Sequence, residues 1–478
     1  MVTWTYCGEP GAVVAIVRGA APSFTRRSSG WAALRTDLAK YSSLAKKEYS
    51  MSMTTAPTQT AKRRTWMFLA ASLLIFAAAA SLRLSWEGGA AVPAAAAAKP
   101  LDPVITWQAR VERRPGDAGA YAGLGLALLQ KVRETNDASL YPRAQGAFEQ
   151  ALARDPQQLD ALVGRGMLAL ALHDFRSALA LGDHIQALNP LKAAGIGVRV
   201  DALVELGRYA EAVTALQQMV DVRPDLESYS RISYLRELHG DVPGAIETMR
   251  MAADIALPGS EPWLWTTTYL GHLYWGQGDL AAAERIYRAV LRQKPDYAFA
   301  QFGLARIDAA RGDKQTALTI LRPLAARLPL PEFLAALGDL YAGLGDARQA
   351  QEQYDLVHVI QQLNAGAGMN VDLELATFDV MHAGDSEAAL KAALAAAQVA
   401  YRERPTIYAA DTLAWALHRT GDDRSAWRYS REALRLGTRD ATLHAHAAAI
   451  AASLGDTAAA EQHREEVARI NPYYSPWK

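Results

Sequence analysis

Ten side chains in two clusters carry the recognition chemistry of this sequence: Trp265, His272, Trp275, Phe299, Phe302 and Arg306 in one, Tyr408, Asp411, Trp415 and His418 in the other. Aromatic rings beside a cation are the residue types that anchor protein and peptide ligands, and such rings also stack on sugars. His272 follows Trp265 by seven residues and Arg306 follows Phe299 by seven, which on a helix places each pair on one face. Bond-making chemistry finds no comparable support. The chain contains no GxxxxGKS/T, HExxH, GxSxG or GxGxxG. Gly164-x-Gly166 and Gly195-x-Gly197 are fragments that close helix packing explains. His444 and His446 lie two residues apart, so on a helix they point in different directions and do not share a metal. The lone cysteine, Cys7, provides neither a disulfide framework nor a thiolate metal site. The expectation is a binding protein and not an enzyme, with no catalytic, cofactor or metal residues.

The elements that hold these clusters repeat. An alanine recurs at Ala144, Ala178, Ala212, Ala245, Ala283, Ala317, Ala350, Ala389, Ala426 and Ala460, with most steps of 33 or 34 residues. Longer steps point to insertions near Pro258-Gly259 and between Asn364 and Gly368. Before most of these alanines stands a Gly-Asp pair, as at Gly240-Asp241, Gly278-Asp279 and Gly455-Asp456. Glycine ends one helix in the left-handed conformation and aspartate caps the free N–H groups of the next. Prolines such as Pro156, Pro190, Pro295 and Pro329 then stop the second helix. Leu270-Gly271, Tyr274, Ala283, Tyr287, Val290 and Pro295 complete one unit, and the pattern resembles the tetratricopeptide (TPR) repeat over residues 105–472.

The resemblance implies an all-α, right-handed solenoid of about ten helix-turn-helix repeats, in which successive first helices line a concave groove. It also implies that Gly166, Gly271, Gly338 and Ala414 mark where the first helix of a repeat meets its own second helix. No helix pair buries its apolar face alone, so neighbours must supply the core and the ends need polar caps. Trp107 to Pro115 would cap the front, and the charged run Glu461 to Glu466 the back. In this family the groove binds protein or peptide partners. The stretch from Arg404 to Trp415 resembles the C-terminal repeats of bacterial TPR proteins.

Charge and hydropathy divide the remainder. Residues 1–64 carry ten Lys/Arg against three acids, leaving 40 basic and 47 acidic residues in the rest. A mildly acidic body speaks against nucleic-acid binding, which needs a basic surface. Residues 65–82 (TWMFLAASLLIFAAAASL) form an uncharged stretch of 18, near the minimum for one transmembrane helix. Lys62, Arg63 and Arg64 precede it and Arg83 follows, so the N-terminus is expected in the cytoplasm and the repeats outside. Its Ala-rich end also resembles a cleavage site, which would release a secreted or periplasmic protein. The expected domains are a disordered cytoplasmic segment 1–64, whose true start could be Met51 or Met53, a membrane segment 65–82, an Ala/Gly/Pro-rich linker 83–104, the array 105–472 and a tail 473–478. The expected function is a membrane-tethered extracytoplasmic scaffold that binds protein or peptide partners and supports complex assembly. A subunit of a glycan or polysaccharide secretion machine, touching sugar directly, is the alternative. An enzyme that grips its substrate with the solenoid is the third reading.

Overall fold

The computed structural model describes residues 102–477, apart from 385 and 476, and the expectations for residues 1–101 lie outside them. Among the described residues there are 21 α-helices, one short 3-10 helix and no strand. A lone helix α1 (Pro103–Arg113) precedes ten helix pairs. The first five are α2 (Ala118–Thr135) with α3 (Tyr141–Arg154), α4 (Leu159–Ala171) with α5 (Phe175–Leu188), α6 (Ala193–Glu205) with α7 (Tyr209–Val222), α8 (Leu226–Leu238) with α9 (Val242–Ile255), and α10 (Glu261–Gly276) with α11 (Leu280–Gln293). Five more follow: α12 (Ala298–Ala310) with α13 (Lys314–Arg327), α14 (Pro331–Gly343) with α15 (Ala347–Gly366), α16 (Asp372–His382) with α17 (Glu387–Glu403), α18 (Ile407–Arg419) with α19 (Asp423–Ala433), and α20 (Ala441–Ser453) with α21 (Thr457–Ile470). Among the described residues no helix is long and apolar enough to cross a membrane.

The turns inside the pairs follow from their sequence. Asp241, Asp279, Asp313, Asp346, Asp422 and Asp456 each accept a backbone N–H in the first turn of the helix they precede. In the third and later pairs a glycine with positive φ stands before the cap, as at Gly207, Gly240 and Gly278. The second pair departs from this, because His173 holds that left-handed position with φ 59°. A side chain there is costly, and a tertiary contact described below keeps it. The insertion expected between Asn364 and Gly368 lengthens α15 to 20 residues.

The close contacts form a pattern slightly different from the expected one. A Cβ built on Gly271 would lie 2.5 Å from the Tyr287 ring, and one built on Gly303 also 2.5 Å from it on the other edge. Tyr287 therefore wedges between the first helix of its own repeat and that of the next. Phe148 sits likewise between Gly125 and Gly164. Gly166 is the correction: its neighbour is Val198 on α6, so it serves the contact between successive first helices and not its own pair. At the front, Trp107 of α1 covers Gly123. At the back, α21 buries only Ala460 and Ile470.

The array coils until it meets itself. The Asn370 N–H donates to the Leu172 carbonyl at 2.8 Å, and the His173 Nδ1 donates to the Asn370 carbonyl at 2.8 Å, which holds the left-handed turn. One repeat further, the Ile407 N–H donates to the Tyr209 hydroxyl at 3.1 Å. The Thr438 hydroxyl then donates to the Leu238 carbonyl, and the Asn471 side-chain amide to the Trp275 carbonyl at 2.8 Å. These partners stand 196 to 200 residues apart in the chain. At about 34 residues per repeat, one turn of the coil takes roughly six repeats. The turns inside repeats two to five thus abut the connections that follow repeats seven to ten. The C-terminal tail continues the seam, and Trp477 packs with its ring centroid 6.0 Å from that of Phe302.

Candidate functional site: the lumen between the tiers

Because the coil closes on itself, the groove lined by the first helices becomes a cavity of about 500 Å³ between the two tiers. Both tiers contribute: α6, α8 and α10 from the lower, α16, α18 and α20 from the upper. The wall is unusually polar for a helical interior. Arg231, 4% exposed, holds Asp201 with two hydrogen bonds of 2.8 and 2.6 Å. Arg404 bridges the tiers, reaching Glu205 at 2.6 Å and Glu374 at 3.1 Å while lying over the Phe175 ring. A buried cation with two carboxylates and a ring satisfies its charge locally.

Two other stretches of wall retain free capacity. Arg306 lies 4.4 Å from the Trp275 ring centroid and 5.7 Å from that of Phe302. Among the described residues it makes no hydrogen bond and no ion pair. Burial pulls it below the usual arginine value, the signature of a desolvated guanidinium. Beside it the His272 Nδ1 and the Tyr287 hydroxyl share a hydrogen bond of 2.7 Å. Burial, with the Arg306 charge adding to it, pushes His272 down to about 3, so this imidazole is neutral at ordinary pH. The second stretch holds three carboxylates. Burial pushes Glu237 up to about 7 although the Tyr269 hydroxyl donates to it at 2.6 Å. Burial also raises Asp440, whose side chain caps α20. Asp411 accepts from His446 Nδ1 at 2.9 Å through one oxygen, while its other oxygen, Oδ1, is buried without a partner.

Of the ten residues singled out in the sequence, His272, Trp275, Arg306, Tyr408 and Asp411 line this cavity, and the structure brings the two clusters together across it. The other five do not line it. Trp265 packs on Tyr269 with ring centroids 5.6 Å apart, and Phe299 and Phe302 pack on Phe333 at 5.8 and 4.8 Å. Trp415 stacks on His446 at 4.2 Å, and His418 pairs with Asp423 at 2.5 Å. The expected continuous aromatic strip is therefore broken, since its phenylalanines are spent on the next repeat and on Trp477. Glu237, Asp440 and Asp201 with Arg231 went unnoticed in the sequence, and Arg404 was read only as the start of a repeat-like stretch. The available signal was α8 itself, LESYSRISYLREL, a repeat helix without an apolar face, whose buried side chains include Ser228, Ser230, Arg231, Ser233 and Arg236. Among the described residues no three His, Cys, Asp or Glu side chains converge as metal ligands; His444 instead shares a hydrogen bond with His463 at 2.9 Å.

Comparison with known proteins supports the repeat assignment. Tetratricopeptide repeat family models match residues 137–193, 198–261 and 274–340. Over 216 residues the chain is 25% identical to cellulose synthase 1 operon protein C of Komagataeibacter xylinus. That alignment covers 45% of this chain and 14% of the relative. Among solved structures, the human IFIT1 dimer with PPP-AAAA is 17% identical with a TM-score of 0.45, covering 67% of this chain and 73% of that one. A tetratricopeptide repeat protein from Parabacteroides merdae is 14% identical with a TM-score of 0.37, covering 47% and 85%. The pattern of alanines, glycine turns and aspartate caps, the ten stacked pairs and the matched segments agree, and the chain carries an array of tetratricopeptide repeats.

Proposed function

We propose that this chain is a membrane-tethered extracytoplasmic scaffold that binds a protein partner through a peptide segment held in the lumen, and that it is not an enzyme. The supporting observation is Arg306, a half-buried guanidinium on the Trp275 and Phe302 rings with no acceptor of its own among the described residues. Arginine and tryptophan together in a partly desolvated pocket are the side chains on which binding energy concentrates. A carboxylate of the bound segment would accept from the guanidinium fork in two hydrogen bonds. Full-length protein captured from native membranes should retain a protein partner that is lost with Arg306→Ala at an unchanged melting temperature. Retention of the same partner by a folded Arg306→Ala variant would remove the lumen as its site. Residues 65–82 supply the tether in this reading, and a phosphatase fused after Lys478 should be active only outside the cytoplasmic membrane.

The polysaccharide reading rests on a separate observation, the similarity to a cellulose synthase operon protein. Hydroxyl-rich sugars suit a wall of tyrosines and carboxylates. Quenching of tryptophan fluorescence by soluble cello-oligosaccharides, abolished by Trp275→Ala, would favour it over the protein partner.

A further inference from the structure

The residues that follow the last helix run along the lumen wall, and they meet both side chains whose rings flank Arg306. The seam ends at Asn471, above the turn of the fifth repeat. There the Asn471 side-chain amide donates to the Trp275 carbonyl at 2.8 Å, while its Oδ1 accepts from the Tyr473 N–H at 2.8 Å. Further along, the Trp477 ring packs on Phe302 of α12 with centroids 6.0 Å apart, and the Trp477 carbonyl lies against Gly343 of α14. Between these two contacts Tyr474 lines the same cavity as Trp275, Gly276 and Arg306.

The hold at the two ends differs. Asn471 is buried and caps α21 through its N–H to the Val467 carbonyl, so it is tied to the last helix. Trp477 makes no hydrogen bond among the described residues, and ring packing within the core cluster around Phe302 and Phe333 is what keeps it. Tyr473 and Tyr474 between them are exposed, and the Tyr474 N–H bonds back within the segment, to the Asn471 carbonyl at 3.3 Å. A segment tied at one end and packed through one ring at the other opens at far lower free energy than the array unfolds.

From this geometry we infer that residues 471–477 are a strap that governs access to Arg306: seated, they close that end of the lumen, and the partner's segment enters when Trp477 leaves Phe302. This rests on the peptide-binding reading above and adds the regulation of that site. Phe302 is the element that strap and partner share. Arg306 stands one helical turn after it on α12, with its guanidinium 5.7 Å from the ring on which Trp477 packs. With the strap seated, that ring is spent on Trp477. With the strap released, ring and cation present one surface of the kind that anchors a ligand. A partner that binds only the open form has its affinity reduced by the fraction of molecules that are open.

Phenylglyoxal, which condenses with accessible guanidinium groups, reports this access on the full-length protein, each arginine being read by peptide mass spectrometry. Arg306 should react at least about threefold faster in Trp477→Ala than in the parent, while Arg322, exposed on α13, reacts at the same rate in both. Trp477→Phe keeps a ring and should stay close to the parent. A variant ending at Pro472 removes the outer anchor, leaves α21 intact and should match Trp477→Ala. Equal Arg306 rates in the parent and in both strapless proteins overturn the proposal. So does a rise shared by Arg322, which would mean general loosening. Trp477→Ala should also retain more of the partner captured from native membranes than the parent does. Where that capture depends on Arg306, equal retention by Trp477→Ala overturns the proposal as well. Faster reaction of Arg306 in Trp477→Ala, with capture indifferent to Arg306→Ala, would leave the strap standing and remove the lumen as the partner's site. Capture that needs Arg306, with a reactivity that ignores Trp477, would leave the scaffold reading standing without the strap.

Discussion

At the scale of single residues, the sequence reports where backbones approach but not what approaches them. Gly271 is legible as a small position on a first helix, and the structure pairs it with Gly303, which the sequence reading passed over, around one aromatic ring, that of Tyr287. Gly166 looked the same and serves a different contact, because a glycine in a string carries no label for its neighbour. Gly303→Ala should overpack the ring from one side while Gly271 closes the other, costing about 1–3 kcal/mol in a denaturant titration. A neutral outcome would mean that Tyr287 has room to move. Titration behaviour was still less visible, since burial and not residue type sets it. The ordinary carboxyl value for Glu237 is 4.5, and in the folded protein it is raised to about 7. Between those values the folded state holds a proton that the unfolded chain has released, so this group lowers stability as pH rises through the window and no further above it. Glu237→Gln removes that loss. The melting temperature of the variant relative to the parent should therefore increase from pH 4.5 to pH 7 and level off, and a constant difference would show that Glu237 titrates normally.

At the scale of helices and pairs, most of the architecture was readable, because each repeat restates the same local rules. Aspartate caps, left-handed glycines and buried alanines each fix a boundary or a contact within one unit. The exceptions are instructive. The insertion between Asn364 and Gly368 lengthens α15, which runs through Gly366 and ends where Gly368 adopts the left-handed conformation. His173 occupies a left-handed turn that its own sequence does not favour, and its reason lies 197 residues away at Asn370. Ala283 is fully buried, and Ala283→Leu should destabilise its own pair and both neighbours by about 1–3 kcal/mol. In an open solenoid, faster hydrogen exchange would stop near residues 226–330. Here the turn at Gly278 touches Asn471 and Pro472 of the tail, so exchange at residues 471–475 should quicken too, while residues 118–170 stay protected. Loosening confined to the neighbouring repeats would show that the seam transmits nothing.

At the scale of the whole molecule, the decisive quantity is the pitch of the coil, and it was not legible at all. Pitch accumulates from a small rotation between each repeat and the next, set by side-chain packing that no single repeat displays. Its consequence is the seam, which turns an open groove into a lumen and brings Arg306 and Asp411, on α12 and α18, to one cavity. Arg404 is the side chain on which the seam depends most by charge. It is 7% exposed, bonded to Glu205 of the lower tier and to Glu374 of the upper, and stacked 4.6 Å from the Phe175 ring centroid. Arg404→Ala leaves two partly buried carboxylates facing each other with no cation between them. Breaking a buried pair in this way costs about 3–5 kcal/mol, and here part of that is relieved by letting the tiers part. The variant should therefore lose protection at residues 172–174, 205–209 and 369–374, and its radius of gyration in solution scattering should increase. Arg404→Lys retains the charge without the fork and should fall between the parent and Arg404→Ala. A variant that melts lower but keeps the parental radius and the parental protection at those three segments would show that backbone contacts such as Asn370 to Leu172 close the coil without Arg404. The lumen would then be a fixed chamber, and partners would have to enter it from its ends and not through the seam.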